Sequence, residues 1–354
     1  MKIIVLSPYP PFVSPSQRFR FEHYLADLTK SNIAYSYHSF VDIKTWKLMF
    51  KKGNNIKKSL AVGLGIIKRC FVLLNIIKYD FVYIHREVAP IGPPFFEFVI
   101  AKIFRKKMIY DFDDAIWVKV SSSANPGTSF IKCSWKVKYI CKWSYITTVG
   151  NNYLADFANK YCKKVIIIPT VVNTEELHNR IKNHSENPLT IGWTGTFTNF
   201  YNLEKVINPI KKLQVNYNFK FIIIADKDPL FSEIQYVYIK WNKENEINDL
   251  LKIHIGIMPL NNTEVELGKC AFKAIQYFSL GIPAVVSPVG ANCKVVENSV
   301  MGYWAETEED WYRKLELLLI DLNKRTNMGI AARQHIIQNY SVNSSKETFL
   351  NLFA

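Results

Sequence analysis

The stretch from Ile253 to Gly290 constrains the fold most. An apolar run, Ile253 to Leu260, leads through a polar loop into Gly268-Lys-Cys-Ala-Phe-Lys-Ala-Ile-Gln-Tyr-Phe-Ser-Leu-Gly-Ile-Pro-Ala-Val-Val-Ser-Pro-Val-Gly290. It reads as buried strand, loop, helix, tight turn and Val-rich strand, the repeating unit of a parallel α/β sheet. Lys269 and Lys273 stand four apart at the helix start, where unpaired backbone N–H groups and the helix dipole already favour an anion. Two ammonium groups there suit a diphosphate. The same spacing also describes an ordinary crossover helix with solvated lysines, so the rest of the chain has to decide.

A chain of 354 residues exceeds what one hydrophobic core usually serves, and two domains are expected. At 49% hydrophobic and 14% aromatic the composition excludes a disordered protein. The net charge of +15 is concentrated: Met1 to Arg180 holds 27 Lys+Arg against 12 Asp+Glu, and the remainder is neutral. An anionic partner is implied for the first half, whether phospholipid, nucleic acid or a pyrophosphate-linked acceptor. Six cysteines without CxxC or Cys/His metal spacing point to reduced thiols and a cytoplasmic protein. No secretory signal is expected, because Pro8, Pro10 and Pro11 break the apolar run after Lys2. The most apolar long window, Leu60 to Ile77, carries Lys68 and Arg69 at its middle, which argues against a spanning helix and leaves one lying on the interface.

In the first half, Lys2 to Ser7 reads as a strand, followed by Pro15-Ser16-Gln17-Arg18-Phe19-Arg20 and an amphipathic helix through Leu28. Arg18 and Arg20 emerge where parallel strands end, the usual ligand edge of an open sheet, and could clamp an acceptor phosphate bidentately. Thr45 to Lys78, interrupted at Gly53-Asn54-Asn55, interleaves Lys47, Lys51, Lys52, Lys57, Lys58, Lys68 and Arg69 with Trp46, Met49, Phe50 and Leu60. That is the pattern of a helix at an anionic membrane surface, and equally of a core helix with a solvated face. A basic aromatic stretch recurs over Phe130 to Trp143. After the strand Asp80 to Ile84 come His85, Arg86 and Glu87, site candidates because loops at strand ends carry function. The strand Lys107 to Tyr110 leads into Asp111-Phe112-Asp113-Asp114. In the second half, Leu189 to Thr194 is a strand turning at Gly195, where a missing Cβ lets backbone N–H groups approach a phosphate or sugar.

The segment from Gly268 to Gly290 resembles the donor-sugar region of the two-domain (GT-B), family-four nucleotide-sugar glycosyltransferases, also called glycosyl transferases group 1. The pair Tyr83-Ile84-His85-Arg86-Glu87 and Tyr110 to Trp117 resembles the subgroup acting on bacterial surface polysaccharides, and Ile166 to Asn173 resembles the family's interdomain connection. The resemblance implies an α/β fold of two Rossmann-like domains facing across a cleft, with C-terminal helices packing back toward the first. The expected boundaries are an acceptor domain over 1–173, a linker over 174–188, a donor domain over 189–338 and a final helix over 339–354.

It also implies glycosyl transfer from a nucleoside diphosphate sugar, as co-substrate, to a glycan or lipid-linked acceptor. No cofactor and no metal are expected, the resemblance implies that the anomeric configuration is retained, and the basic half is expected to let a cytoplasmic protein lie at the inner face of the plasma membrane, with no nucleic acid as partner. The family's two Glu residues fall on Gly268 and Gln276, and its Arg and Lys after the glycine turn fall on Thr196 and Tyr201, so the cations expected on the diphosphate are Lys269 and Lys273. The expected donor residues are Gly195, Thr196, Trp241, Gly268, Lys269, Cys270, Ala271, Phe272, Lys273 and Gln276. On the acceptor side they are Arg18, Arg20, His85 and Arg86, with Asp113, Asp111 and Glu87 as catalytic carboxylates. Asp111-Phe112-Asp113 also reads as the Asp-x-Asp metal motif of single-domain (GT-A) enzymes. A sugar-nucleotide epimerase of the same architecture and a basic nucleic-acid-binding protein are the competing functions.

Overall fold

The computed structural model describes residues 1–49, 51, 53–119 and 132–354; Phe50, Lys52 and Phe130, from the basic aromatic stretches above, lie outside them. The chain forms two units, Met1–Thr170 with Ser345–Ala354, and Val171–Ser344. Both are parallel α/β sheets of six strands.

The first unit contains β1 (Lys2–Ser7), β2 (Ala34–Ser39), β3 (Phe81–His85), β4 (Lys107–Phe112), β5 (Ile146–Val149) and β6 (Val165–Ile167), in the spatial order β2-β1-β3-β4-β5-β6. The second contains β7 (Thr190–Gly195), β8 (Lys220–Ala225), β9 (Val237–Lys240), β10 (Ile255–Met258), β11 (Ala284–Val286) and β12 (Gly302–Trp304), in the order β12-β11-β10-β7-β8-β9. Strands covered on both faces read as continuous apolar runs, and β3 and β4 are buried from Phe81 to His85 and from Met108 to Phe112. In each sheet the order reverses once, between β1 and β3 and between β7 and β10. Ligands of open α/β sheets bind outside the carboxyl ends of the strands at such a reversal.

Two strands run further than the sequence suggests. β3 includes His85 and β4 includes Asp111 and Phe112, with His85 in register opposite Asp111. Asp111 is paired on both sides, with His85 of β3 and Thr148 of β5, so His85 and Asp111 belong to the strands and do not open the loops. The helical reading of Thr45 to Lys78 resolves into Ile43–Met49 and Asn55–Leu74.

The tract over 174–188 lies within the second unit, where the Arg333 guanidinium donates to the carbonyls of Thr174 and His178 and His184 Nε2 sits 2.8 Å from the carbonyl of Gly281. The last ten residues complete the first unit. Phe349 stacks on Tyr24 at 4.4 Å between ring centroids, and Phe353 meets Phe81 edge-on at 5.7 Å.

Candidate active site

In the second unit the loops after β7 and β10 flank the reversal point. β7 ends at Gly195, where an added Cβ would lie 2.4 Å from the Trp193 ring and 3.1 Å from Lys273 Cε. Only glycine admits this approach. The ammonium of Lys273 lies 5.4 Å from the Trp193 ring centroid, so the side chain crosses from the helix Phe272–Ser279 to the end of β7. Burial, and then the charge of Lys269, push the Lys273 ammonium down to about 7, with Glu266 pulling the other way. A cation held in so poor a setting gains most when an anion is brought beside it.

Ala271, directly before that helix, has φ of 54° and is fully buried. A left-handed non-glycine residue is strained, and such strain gathers at ligand sites. It sets the turn through Cys270, Ala271 and Phe272. Lys269 Nζ donates to Asn199 at 3.1 Å, joining this turn to the loop after β7. Thr196 closes the same loop, accepting from Asn199 Nδ2 at 2.9 Å. Gly268 ends the helical turn Glu264–Leu267, and Gln276 is buried one turn beyond Lys273. Trp241 follows β9, two strands from β7, and its indole donates to Glu246 at 3.3 Å.

Sequence reasoning missed Glu266. Its carboxylate is 1% exposed and accepts from the hydroxyls of Tyr201 and Thr263. Burial would push this carboxyl up, but those hydroxyls, Lys269 and Asn202 outweigh it and hold it below the ordinary range. The spacing Thr263-x-x-Glu266 was the available signal, since it is the pattern of a helix start. Tyr201, at the place of a family lysine, thus fastens the β7 loop to the β10 loop.

In the first unit the loops after β1, β3 and β4 gather the other candidates. Asp111 is 1% exposed and accepts from Thr148 at 2.7 Å, lies 2.8 Å from His85 Nδ1, and pairs with the Arg20 guanidinium. Burial would raise its carboxyl, but Arg20 and His85 hold it well below the carboxylate range. Arg20 also donates to the Ile168 carbonyl and is 3% exposed, so the guanidinium expected to clamp an acceptor phosphate is spent in the interior. The reason is general: a buried cation has to be paired. Arg18 is largely buried as well, its guanidinium 4.8 Å from the Phe19 ring centroid.

His85 Nε2 lies 3.4 Å from Ser16 Oγ, in the short helix Pro15–Arg18 that follows β1. Arg86, with φ of 60°, turns its guanidinium onto Asp113 at 2.7 and 3.0 Å. Glu87 pairs with the buried Lys136 at 2.8 Å. Asp111 and Asp113 therefore do not converge, since each is held by a different arginine. The geometry brings Ser16, His85 and Asp111 into one chain of contacts and Arg86 and Asp113 into another.

Residues 174–335 match the family described as Glycosyl transferases group 1. No curated protein sequence matches the chain. Among solved structures, sucrose-phosphate synthase from Thermosynechococcus elongatus is similar with a TM-score of 0.70 at 10% identity, over 100% of this chain and 98% of that one. A glycosyltransferase from Rickettsia africae gives 0.65 at 13% identity, over 99% and 97%. HepE from Anabaena, in complex with UDP and glucose, gives 0.62 at 12% identity, over 99% and 98%.

Proposed function

We propose that this glycosyltransferase of GT-B fold, whose residues 174–335 form a group 1 domain, moves a sugar from a nucleoside diphosphate sugar to a glycan or lipid-linked acceptor in surface polysaccharide synthesis. The observation that carries the donor assignment is the ammonium of Lys273 at the β7/β10 reversal point, beside Gly195 and over Trp193, with Lys269 one turn away. HepE binds UDP and glucose on a chain of this fold, which supports a nucleotide-sugar donor here.

As the glycosidic bond breaks, negative charge grows on the departing diphosphate. Groups already aimed at that charge lower the barrier most. Lys269, Lys273 and the turn Cys270–Phe272 supply that stabilisation, Gly195 leaves the room, and Glu266 with Tyr201 holds the two loops together. The transfer retains configuration and draws on these protein cations without a metal. In the first unit Asp113, held by Arg86, and His85, held by Asp111, orient or deprotonate the acceptor hydroxyl. Asp111 and Arg20 act through His85 as positioning residues. Glu87, tied to Lys136, shapes the same loop.

The basic first half supports a position at an anionic membrane surface on the cytoplasmic side. Among the described residues no helix is long and apolar enough to cross a membrane.

The test is Lys273→Ala. Turnover is expected to fall roughly 10- to 1,000-fold, the range for losing one charge-stabilising donor, and calorimetric affinity for the nucleoside diphosphate is expected to fall with it. A folded variant with wild-type turnover would remove the donor assignment. Conversion of the nucleotide sugar into its epimer without any acceptor would instead favour an epimerase, and nucleoside diphosphate released only with an acceptor present would exclude it.

A further inference from the structure

The helix Asn55–Leu74 is anchored by one face. Gly65 packs against the Phe40 ring, and Arg69, 2% exposed, donates to the carbonyls of Ser7, His38 and Val88 at 2.7, 3.0 and 2.9 Å. At about 100° per residue the opposite face is the line Ile56, Leu60, Leu64, Ile67, Phe71 and Leu74. These six are from 53% to 78% exposed. A continuous apolar stripe over five helical turns, turned squarely away from the core, is far from the scattered exposed residues of an ordinary surface.

One flank of the stripe is strongly basic. The short helix Ile43–Met49 runs beside it, and between the two lies a groove of about 410 Å³ whose lining includes Lys44, Lys47, Lys51 and Lys57 together with the apolar side chains of Leu60 and Leu64. Ammonium groups at the rim and a hydrocarbon floor leading onto the stripe match one class of ligand: an anionic phosphate attached to an alkyl chain.

We infer that the groove between the helices Ile43–Met49 and Asn55–Leu74 is a binding site for the headgroup of an anionic phospholipid, with the apolar stripe entering the bilayer interface. The inference rests on the peripheral-membrane reading above and says which surface carries it. A second copy of the chain is the poorer occupant, because pairing two stripes would bring two lysine rims together. Nucleic acid would use the lysines and leave the stripe in water. Through Arg69, further along the same helix, the site is tied to the carboxyl ends of β1, β2 and β3, the edge that carries Ser16, His85 and Arg86.

The experiment is co-sedimentation of the full chain with phosphatidylcholine vesicles, with and without phosphatidylglycerol. Three proteins are compared: wild type, Lys47→Glu/Lys57→Glu, and Leu60→Ser/Leu64→Ser. All four positions are exposed, so unchanged thermal midpoints are expected and verify folding. Wild type should bind only the anionic vesicles. The charge reversal should weaken binding by roughly fivefold or more per lysine, and the serine pair by about tenfold.

Groove variants that bind like wild type would overturn this site while leaving the membrane reading standing, and wild type that ignores anionic vesicles would overturn both. Displacement by inorganic phosphate at constant ionic strength would reassign the lysines to free phosphate and overturn the lipid. A lipid-free dimer abolished by Leu60→Ser/Leu64→Ser would reassign the stripe to a second copy.

Discussion

Lys273 shows what a single residue's setting does to its chemistry. A lysine placed by sequence at a helix start is a solvated cation with an ordinary ammonium. Here burial and Lys269 bring it down to about 7 from 10.5. The folded protein without donor therefore binds fewer protons than the unfolded chain between those two values. Its stability is greatest above the upper value and declines as pH falls, levelling off below the lower one. Lys273→Met is accordingly expected to raise the melting temperature of the ligand-free protein at neutral pH, in a thermal scan, while removing stabilisation by a nucleoside diphosphate. Donor binding has the opposite proton requirement, because the diphosphate prefers the charged ammonium. Affinity should fall from neutral to about pH 9, by up to roughly tenfold per pH unit, with proton uptake on binding. Calorimetry in buffers of different ionisation enthalpy measures that uptake, and a pH-independent affinity would contradict the assignment. Asp111 illustrates the other sign. Its carboxyl is depressed by Arg20 and His85, so the stability it contributes is present above the unfolded value of about 3.9 and is lost as pH falls below it. Asp111→Asn should cost about 3–5 kcal/mol in denaturant unfolding at neutral pH, since it leaves the Arg20 guanidinium buried without its partner. Both lysines and both aspartates were legible as candidates from the sequence. The division of labour between Asp111 and Asp113 was not, because it depends on which side chain a strand turns inward.

At the scale of elements, the strands were read closely from their apolar runs, and the discrepancies fall at their ends. β4 continues to Phe112 because β3 pairs with it as far as Asp111 and β5 as far as Phe112. That continuation is what buries Asp111. The C-terminal segment is a second case. Its apolar residues say that it packs, and the resemblance names the first domain as its destination. Only the structure shows the surface, Phe349 and Phe353 against Tyr24, Phe81 and Tyr83. Phe349→Ala should destabilise by about 3–5 kcal/mol, as expected for a buried aromatic truncated to a methyl. Denaturant unfolding followed by near-UV circular dichroism measures it, and a loss below about 1 kcal/mol would mean that the site closes around the cavity.

At the scale of the whole molecule there are two α/β units, and the proposed function gives each substrate the sheet of one of them. A nucleoside diphosphate alone should therefore slow amide exchange over Thr196–Leu203 and Gly268–Lys273 in the second unit. Protection centred instead on Pro8–Arg20 of the first unit would reverse the assignment of donor and acceptor. The sequence by itself determined the class of fold, the number of units and the place of the helix that carries Lys273. Those follow from the period of apolar runs, from chain length and from glycine and proline at turns, all of which are local in the chain. Only the tertiary structure decided that Glu266 and Tyr201 bind two loops together, that Arg20 is spent on Asp111, and that the stripe from Ile56 to Leu74 is left uncovered. These depend on which residues distant in sequence meet across a sheet edge, and on whether a charged or apolar group ends in water or in the core, which no local pattern encodes.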